Sequence, residues 1–322
     1  MRLFSDLGRF ELYLAAVPLI YWCISKRLGT HLAYLLIIST VLNYGFKHVF
    51  RQPRPGWIDP SLTIGDSESY GFPSGHVQTA TVVFFLLAGW IRENWLWTFS
   101  LSYIFVMMLS RLYLGVHFVH DVIGGFFVGI AILVAYLVWQ QYGARRFMER
   151  IFGQRLLAVT LLPIALLILY IIVIVLRGTP DDTVAWASQL ELAEREAFEG
   201  TVGFLGIMLG TGIGITLEQT RVCFRVAGDW WKRLLRYVLG IGVLVLIWAG
   251  LRSVFETIAP PEILWLALPL RFVRYFLMGI WTTYYAPMLF VMLTLCDHSV
   301  EPEIPFTVAG TSMRQRSQKK KK

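Results

Sequence analysis

Three short clusters of charged and polar residues interrupt an otherwise apolar chain. The clusters are Lys47, Arg54 and Pro55; Pro73, Ser74, Gly75 and His76; and Ser110, Arg111, His117 and Asp121. Arginine suits bidentate recognition of phosphate, and lysine adds a compact point charge. Phosphoryl transfer needs mainly positioning and charge neutralisation. The three clusters together therefore predict a site that handles a phosphate group.

The second cluster is typical of the start of a helix. Pro73 can occupy the first turn, where its missing N–H costs nothing. Ser74 and Gly75 then offer backbone N–H groups that no helical carbonyl accepts, which makes a ready anion site. Gly75 also lets an oxyanion approach the backbone closely. We therefore expect phosphate to bind at this helix start.

The third cluster supplies a histidine and a carboxylate four residues apart, on one face of a helix. A hydrogen bond from Asp121 would fix the tautomer of His117 and leave its other ring nitrogen free to attack. His76, from a different helix, could then protonate the leaving oxygen. This chemistry needs one neutral and one protonated histidine. No carboxylate–histidine cluster with metal-ligand spacing surrounds the motifs, so no metal or cofactor is predicted.

The elements that must position these residues are membrane helices. The chain has 322 residues, of which 56% are apolar and 16% charged, with a mean hydropathy of +0.60. These values exclude a soluble domain and predict an all-α, polytopic transmembrane bundle. Nine apolar runs define the expected spans: Leu12–Ser25, Leu32–Phe46, Val77–Trp90, Leu96–Leu112, Val122–Trp139, Leu156–Leu176, Val202–Leu217, Leu235–Leu251 and Phe276–Leu295.

The distribution of basic residues predicts the orientation of these spans. Of the 29 Lys and Arg, most fall in the loops after the odd-numbered spans and in the C-terminal tail. The positive-inside rule then places the N-terminus outside and the C-terminus in the cytoplasm. The net charge of +8 follows from this bias and requires no nucleic-acid partner. Loops 2–3 and 4–5 emerge on the same outer face, so the three clusters can converge there.

The spans divide into a predicted catalytic core and additional regions. Residues 1–140 hold the clusters, 141–300 form a four-span region, and 301–322 form a basic cytoplasmic tail. Within the four-span region, 177–200 is predicted to be an acidic external loop, with a surface helix near 184–198. A solvated connector is favoured over a lid. The lysine-rich tail fits anionic lipid or, in a eukaryote, a dilysine retrieval signal.

Several polar residues fall outside the three clusters. Arg271 and Arg274 share a helix face and are candidate ligands for a lipid headgroup, although anchoring at the interface is favoured. His48 and His120 are assigned packing or interface roles. The glycines between Gly203 and Gly214 predict close helix packing. The three cysteines are far apart, and no disulfide is expected.

The eleven clustered positions match the signature of the type 2 phosphatidic acid phosphatase superfamily, which the chain resembles from about residue 32 to residue 139. The resemblance implies that His117 is the nucleophile, that Asp121 orients it and that His76 is the general acid. It also implies phosphate binding by five residues: Lys47, Arg54, Ser74, Gly75 and Arg111. The nine-span layout is further reminiscent of glucose-6-phosphatase, a member of that superfamily, and departs from its six-span members.

Four functions are weighed on these grounds. The leading hypothesis is a metal-independent integral membrane phosphatase with an extracytoplasmic site, because the catalytic groups lie at headgroup depth. Its candidate substrates are phosphatidic acid, phosphatidylglycerophosphate and a polyprenyl diphosphate. A phosphatase of a soluble sugar phosphate and a lipid phosphotransferase would use the same site. A transporter or non-catalytic binder is disfavoured, because it needs neither histidine. The cell membrane is the favoured location, with the endoplasmic reticulum and a lumenal site as the alternative.

Overall fold

The computed structural model describes residues 10–65, 68–259 and 263–298, and this part of the chain is helical. Its long helices are α1 (Phe10–Leu19), α2 (Lys26–Phe50), α3 (Gly75–Ile91), α4 (Asn94–Tyr113), α5 (Val119–Tyr142), α6 (Phe152–Arg177), α7 (Leu190–Leu217), α8 (Trp230–Val245) and α9 (Leu264–Ile280). Wider helical turns extend four of them: Ile20–Ile24, Glu218–Val222, Leu246–Gly250 and Trp281–Tyr285. The remaining segments are short: Pro55–Ile58, Pro60–Leu62, Ala144–Met148, Ala187–Gln189, Leu251–Ile258 and Ala286–Met292.

The described helices confirm an all-α membrane protein with several spans. Seven continuous helical segments are long and apolar enough to cross a bilayer, and two shorter apolar helices, Glu11–Ile24 and Gly75–Ile91, add to them. Each of the nine predicted runs overlaps one of these nine segments. The described residues form no strand, only an isolated bridge between Phe224 and His298. The count of nine spans and their orientation stay predictions, and the basic tail 301–322 lies outside the described residues.

The outer surface of the bundle is apolar, as a lipid-facing surface must be. In the most apolar part of α6 only 11% of the residues are buried. Side chains such as Leu157, Leu161, Ile168 and Leu176 are more than half exposed. A surface of this kind is tolerated when lipid rather than water surrounds it. The helix therefore faces lipid over most of its circumference.

Helices α2, α3 and α5 form the packed centre of the N-terminal half. Their buried side chains make one apolar cluster, which includes Leu35, Val82 and Leu133. Two glycines of α5 allow α3 to approach closely. A Cβ on Gly125 would lie 2.6 Å from the carbonyl oxygen of Ser74, and one on Gly129 would lie 2.9 Å from that of Gln78. This close approach fixes the start of α3 against the start of α5.

Helices α7 and α9 form a second closely packed pair, in the C-terminal half. A Cβ on Gly279 of α9 would lie 2.6 Å from the carbonyl oxygen of Ile207. Gly206 and Gly210 of α7 likewise face the backbone of α9. Small residues at such positions let two backbones touch in a membrane. The packing role predicted for the glycine-rich segment is therefore confirmed.

The predicted acidic loop differs from the structure. Residues 190–200 are not a separate surface helix but the first three turns of α7, which continues without a break to Leu217. Leu190, Ala193 and Ala197 are buried on one face of these turns. The physical reason is that the charges alternate with small and apolar residues at helical spacing, so one face can pack while the other carries the carboxylates. This part of α7 packs against the end of α2 and Tyr70.

Candidate active site

The first cluster lies where α2 ends. The helix runs to Phe50 and closes with Arg51 in the left-handed conformation, at φ 48°. Pro53 and Pro55 follow, and the residue before a proline avoids the helical region. Arg54 is accordingly extended, at φ −102° and ψ 159°. The turn brings the Arg54 side chain back over the end of α2, near Lys47.

Ser69 ties these two cations together. The ammonium of Lys47 donates to the Ser69 hydroxyl at 2.6 Å, and the Arg54 guanidinium donates to the same oxygen at 3.0 Å. Arg54 also donates to the carbonyl oxygens of Ser69, Tyr70 and Val116. Both side chains are almost fully buried. The cations are thus held in fixed positions before any anion binds.

The second cluster lies at the start of α3, as predicted, but Pro73 is not in the first turn of the helix, because it precedes the N-cap residue. The helix begins at Gly75 with Ser74 as its N-cap, and the preceding Phe72–Pro73 peptide bond is cis. The Ser74 N–H donates to the carbonyl of Asp121 at 3.0 Å, which joins the second and third clusters. The Ser74 hydroxyl oxygen is buried and has no hydrogen-bond partner among the described residues. A donor of this kind beside a helix N-terminus is suited to an anion.

The third cluster holds His117 in a defined tautomer. The predicted helix face shared with Asp121 is wrong, because His117 precedes the N-cap Phe118 of α5. Its Nδ1 lies 3.2 Å from Oδ2 of Asp121, and its Nε2 lies 3.3 Å from the guanidinium of Arg54. A guanidinium can only donate, so Nε2 carries the lone pair and Nδ1 carries the proton. Asp121 also accepts from the Phe118 N–H at 2.9 Å, which caps α5. The imidazole is therefore oriented with its unprotonated ring nitrogen beside the guanidinium of Arg54.

The electrostatic surroundings keep this imidazole neutral. The pKa of His117 lies well below its ordinary value, first because burial disfavours the charged form and then because of the nearby charges of Arg54 and Lys47. His76 and Arg111 act in the same direction. A neutral imidazole is the form that can attack phosphorus.

Most of the predicted phosphate ligands meet at one cavity. Its volume is about 340 Å³, and five of the predicted site residues line it: Lys47, Arg54, Gly75, His76 and His117. Ser74, Arg111 and Asp121 are buried, although they are not part of the lining. The structure thus brings the three clusters to one end of the bundle. The roles assigned to the individual residues stay predictions.

Several residues that the sequence analysis missed contribute to this site. Besides Ser69, the important one is Glu194 on α7. Its carboxylate accepts from Tyr70 at 2.6 Å, from Arg51 at 2.9 and 3.0 Å, and lies 3.1 Å from Nε2 of His48. His48 is buried, also contacts Tyr170, and does not line the cavity, while the packing or interface role expected for it stays a prediction. In the sequence, the only indication of Glu194 was the group of acidic residues near the start of α7. That pattern does not show which of the carboxylates faces the interior.

The two arginines proposed as headgroup ligands lie elsewhere. Arg271 donates to Glu199 at 2.7 Å, and Arg274 is buried with its guanidinium 5.4 Å from the centre of the Tyr275 ring. Both line a separate cavity of about 80 Å³, which also contains Glu199 and Glu256. They are therefore not part of the cavity that His117 lines, and headgroup binding by them stays a prediction. The described residues contain no cluster of three or more metal-ligating side chains.

The chain belongs to the PAP2 superfamily. The model of that superfamily matches residues 28–147, and a model described as a PAP2 superfamily phosphatase transmembrane extension matches residues 202–298. The candidate undecaprenyl-diphosphatase YbjG of Escherichia coli is 31% identical over 42% of this chain and 70% of its own length. We call residues 202–298 the extension below.

Other relatives carry names that refer to sphingoid phosphates. The human sphingosine-1-phosphate phosphatase 2 is 28% identical over 42% of this chain and 36% of its own length. The yeast dihydrosphingosine 1-phosphate phosphatase YSR3 is 24% identical over 77% of this chain and 61% of its own length. This chain spans about two-fifths or less of the first sphingosine-1-phosphate phosphatases that it matches. No solved structure gives a significant match.

Proposed function

We propose that this protein is an integral membrane phosphatase that hydrolyses a lipid phosphate or lipid diphosphate through a phosphohistidine intermediate. The observation that carries the proposal is the orientation of His117, with Nδ1 toward Asp121 and Nε2 beside Arg54 at the cavity. The proposal is also supported by the superfamily to which the chain belongs, because the relatives reported above are named as phosphatases of lipid phosphates or lipid diphosphates. The lipid is favoured over a sugar phosphate because most of the residues that line the cavity beyond the cations are apolar.

The proposed mechanism has two steps, formation of the phosphohistidine and its hydrolysis. In the first, the Nε2 lone pair of His117 attacks phosphorus, the bond to the lipid oxygen breaks, and His76 gives that oxygen a proton. In the second, water attacks the phosphohistidine, His76 takes a proton from the water, and the P–N bond breaks to release phosphate. Lys47, Arg54 and Arg111 neutralise the phosphoryl oxygens, together with the N–H groups at the start of α3. The site residues supply these charges without requiring a metal.

The experiment is a phosphate-release assay with purified protein on a panel of lipid phosphates, lipid diphosphates and hexose phosphates. The wild-type chain should release phosphate from a lipid, and His117→Ala should abolish release while the protein keeps its melting temperature. When the reaction with a ³²P-labelled substrate is quenched rapidly without acid, the protein should carry label as phosphohistidine. This label should be stable in base and labile in acid. His298→Ala, which removes a histidine outside the cavity, is the matched control. Full activity of His117→Ala would rule out His117 as the nucleophile.

The same proposal includes the side of the membrane on which the site lies and the membrane that contains the protein. The distribution of lysine and arginine supports an extracytoplasmic site in the cell membrane, at the end of the bundle where α2 finishes and α3 begins. The test is labelling of a single engineered cysteine at exposed Leu62 in intact cells with a membrane-impermeant maleimide. Labelling only after the cells are broken would place the site in the cytoplasm.

A further inference from the structure

A second cavity lies where α7, α9 and the short helix Leu251–Ile258 meet. Its volume is about 80 Å³, more than twice the roughly 30 Å³ that one water occupies in the liquid. Its charged lining consists of four arginines and two glutamates: Arg195, Arg252, Arg271, Arg274, Glu199 and Glu256. None of these six residues lines the cavity that contains His117. The two cavities are therefore separate, and three of the four arginines belong to the extension.

Both glutamates already pair with arginines of the same cavity. Glu199 accepts from Arg195 at 2.7 Å through one carboxylate oxygen and from Arg271 at 2.7 Å through the other. Glu256 accepts from Arg252 at 2.7 Å. Since an arginine side chain stays charged in a protein, four guanidinium groups and two carboxylates leave this lining with two positive charges in excess.

Arg274 is the buried arginine of the second cavity. It is 7% exposed, and its Nε has no hydrogen-bond partner in the part of the chain that the structure describes. Arg271 and Arg252 lie near enough for their charges to repel that of Arg274. A buried charge is costly unless an opposite charge and hydrogen bonds compensate it. Arg274 therefore offers a buried donor to an anion that enters the cavity.

The ring of Tyr275 helps to hold two of these arginines in position. The guanidinium carbon of Arg271 lies 5.6 Å from the ring centre, and that of Arg274 lies 5.4 Å from it. Both distances are within the range of cation–π contacts. Because Arg271 is also bound by Glu199, its guanidinium is ordered before an anion arrives, which lowers the cost of binding. Planar guanidinium groups can donate two parallel hydrogen bonds to a phosphate.

The helices that form the second cavity also carry exposed apolar side chains. Val254 and Ile258 of the short helix are 51% and 58% exposed, and Trp265 in the first turn of α9 is 78% exposed. Arginine and tryptophan beside apolar surface are typical of the boundary between the hydrocarbon core and the lipid headgroups. A phosphate group of a neighbouring lipid would lie at the same depth as the arginines.

We propose that the second cavity is a binding site for a phosphate group, separate from the site of hydrolysis. The phosphate oxygens accept hydrogen bonds from Arg274 and Arg271 and neutralise the excess positive charge of the lining. The phosphodiester of an anionic lipid and free phosphate both offer such oxygens, and the experiment distinguishes these two sources. The proposal does not rest on the proposed function, because binding at this site needs no turnover.

The experiment measures the Tm of the full chain in micelles of detergent and phosphatidylcholine. One arm adds phosphatidylglycerol, a phosphodiester, and the other adds inorganic phosphate. At about 100 times the Kd, the ligand should raise the Tm of the wild type by about 3 °C. Arg274→Gln should raise the Kd by about 10-fold or more, as expected for the loss of a charge-assisted hydrogen bond. Arg177→Gln, which replaces an exposed arginine at the end of α6, is the matched control and should keep the wild-type Kd.

A second variant should change the affinity in the opposite direction. The side chain of Glu256 is 54% exposed, so its replacement leaves the packing of the helices unchanged. Glu256→Gln removes a carboxylate that competes for Arg252, and it should lower the Kd by about 2- to 5-fold, the size of an exposed ion pair. A cluster that serves only to join the helices would gain no affinity for the anion from this change.

The two arms identify the source of the phosphate group. A rise in Tm that depends on Arg274 and occurs only with phosphatidylglycerol supports a lipid headgroup, and one that occurs with inorganic phosphate supports the free anion. The same Kd for the wild type and Arg274→Gln in both arms would overturn the proposal. Should Arg274→Gln fail to fold, an unchanged Kd in Glu256→Gln would overturn it instead.

Discussion

Glu194 joins α7 to the end of α2 and to Tyr70, and its replacement offers a quantitative test of the site. The carboxylate accepts two hydrogen bonds from Arg51 and one from Tyr70, and it faces His48. Tyr70 follows Ser69, which orients Lys47. The side chain of Glu194 is 22% exposed and that of Arg51 10%, so solvent screens the pair only weakly.

Glu194→Gln keeps the shape but removes the charge and one acceptor. Hydrogen bonds to charged groups contribute about 1.5–3 kcal/mol each, and the amide retains part of this, so we expect a loss of about 2 kcal/mol in the free energy of unfolding. For a chain of this size that corresponds to a fall in Tm of roughly 3 °C. We also expect kcat/KM to fall by about 10-fold or more, because a displaced Ser69 would loosen both cations.

The assays are thermal unfolding in detergent and phosphate release from a lipid phosphate. Glu191→Gln is the matched control, since this exposed glutamate lies three residues away on the same helix. It should change Tm by less than about 1 °C, as surface substitutions usually do. A Glu194→Gln protein that melts within 1 °C of the wild type and keeps more than half of its activity would refute the positioning role.

Three further predictions follow from the same geometry. In ¹⁵N-histidine NMR spectra, the imidazole of His117 should stay neutral with its proton on Nδ1 as the pH falls from 8 to about 6, because its pKa is depressed. The unfolded chain then binds the extra proton, so the free energy of unfolding should fall as the pH drops below about 6.5. A charged His117 at pH 6 would contradict this. Gly125→Ala should destabilise the protein by about 1–3 kcal/mol, because its Cβ would meet the Ser74 carbonyl at 2.6 Å, whereas Gly89→Ala, with open space, should not. Phosphate release should persist in EDTA, since fixed cations supply the charge, and complete loss on chelation would count against the proposed site.

The sequence alone determined the parts of this protein that depend on local pattern. Long apolar runs can only be membrane helices, because lipid offers no partner to unpaired backbone groups, and this fixed the all-α class. The spacing of His117 and Asp121 predicted that the two side chains would meet at the start of α5, although His117 proved to lie just before the helix. The run from Pro73 to Gly75 predicted a helix start there, although Pro73 itself lies outside α3. These features depend on residues within a few positions of each other.

Only the tertiary structure decided what depends on distant contacts. The sequence could not show that Ser69 bridges Lys47 and Arg54, or that Glu194 faces inward while Glu191 faces outward. Both outcomes are set by the packing of α7 against the end of α2, more than 140 residues apart in the chain. The cavity that His117 lines is of the same kind, because side chains from six of the long helices line it and no single helix encodes an empty space. A cavity is a property of how helices pack, and the hydrophobic pattern that builds the helices is the same whether the space between them is filled or open.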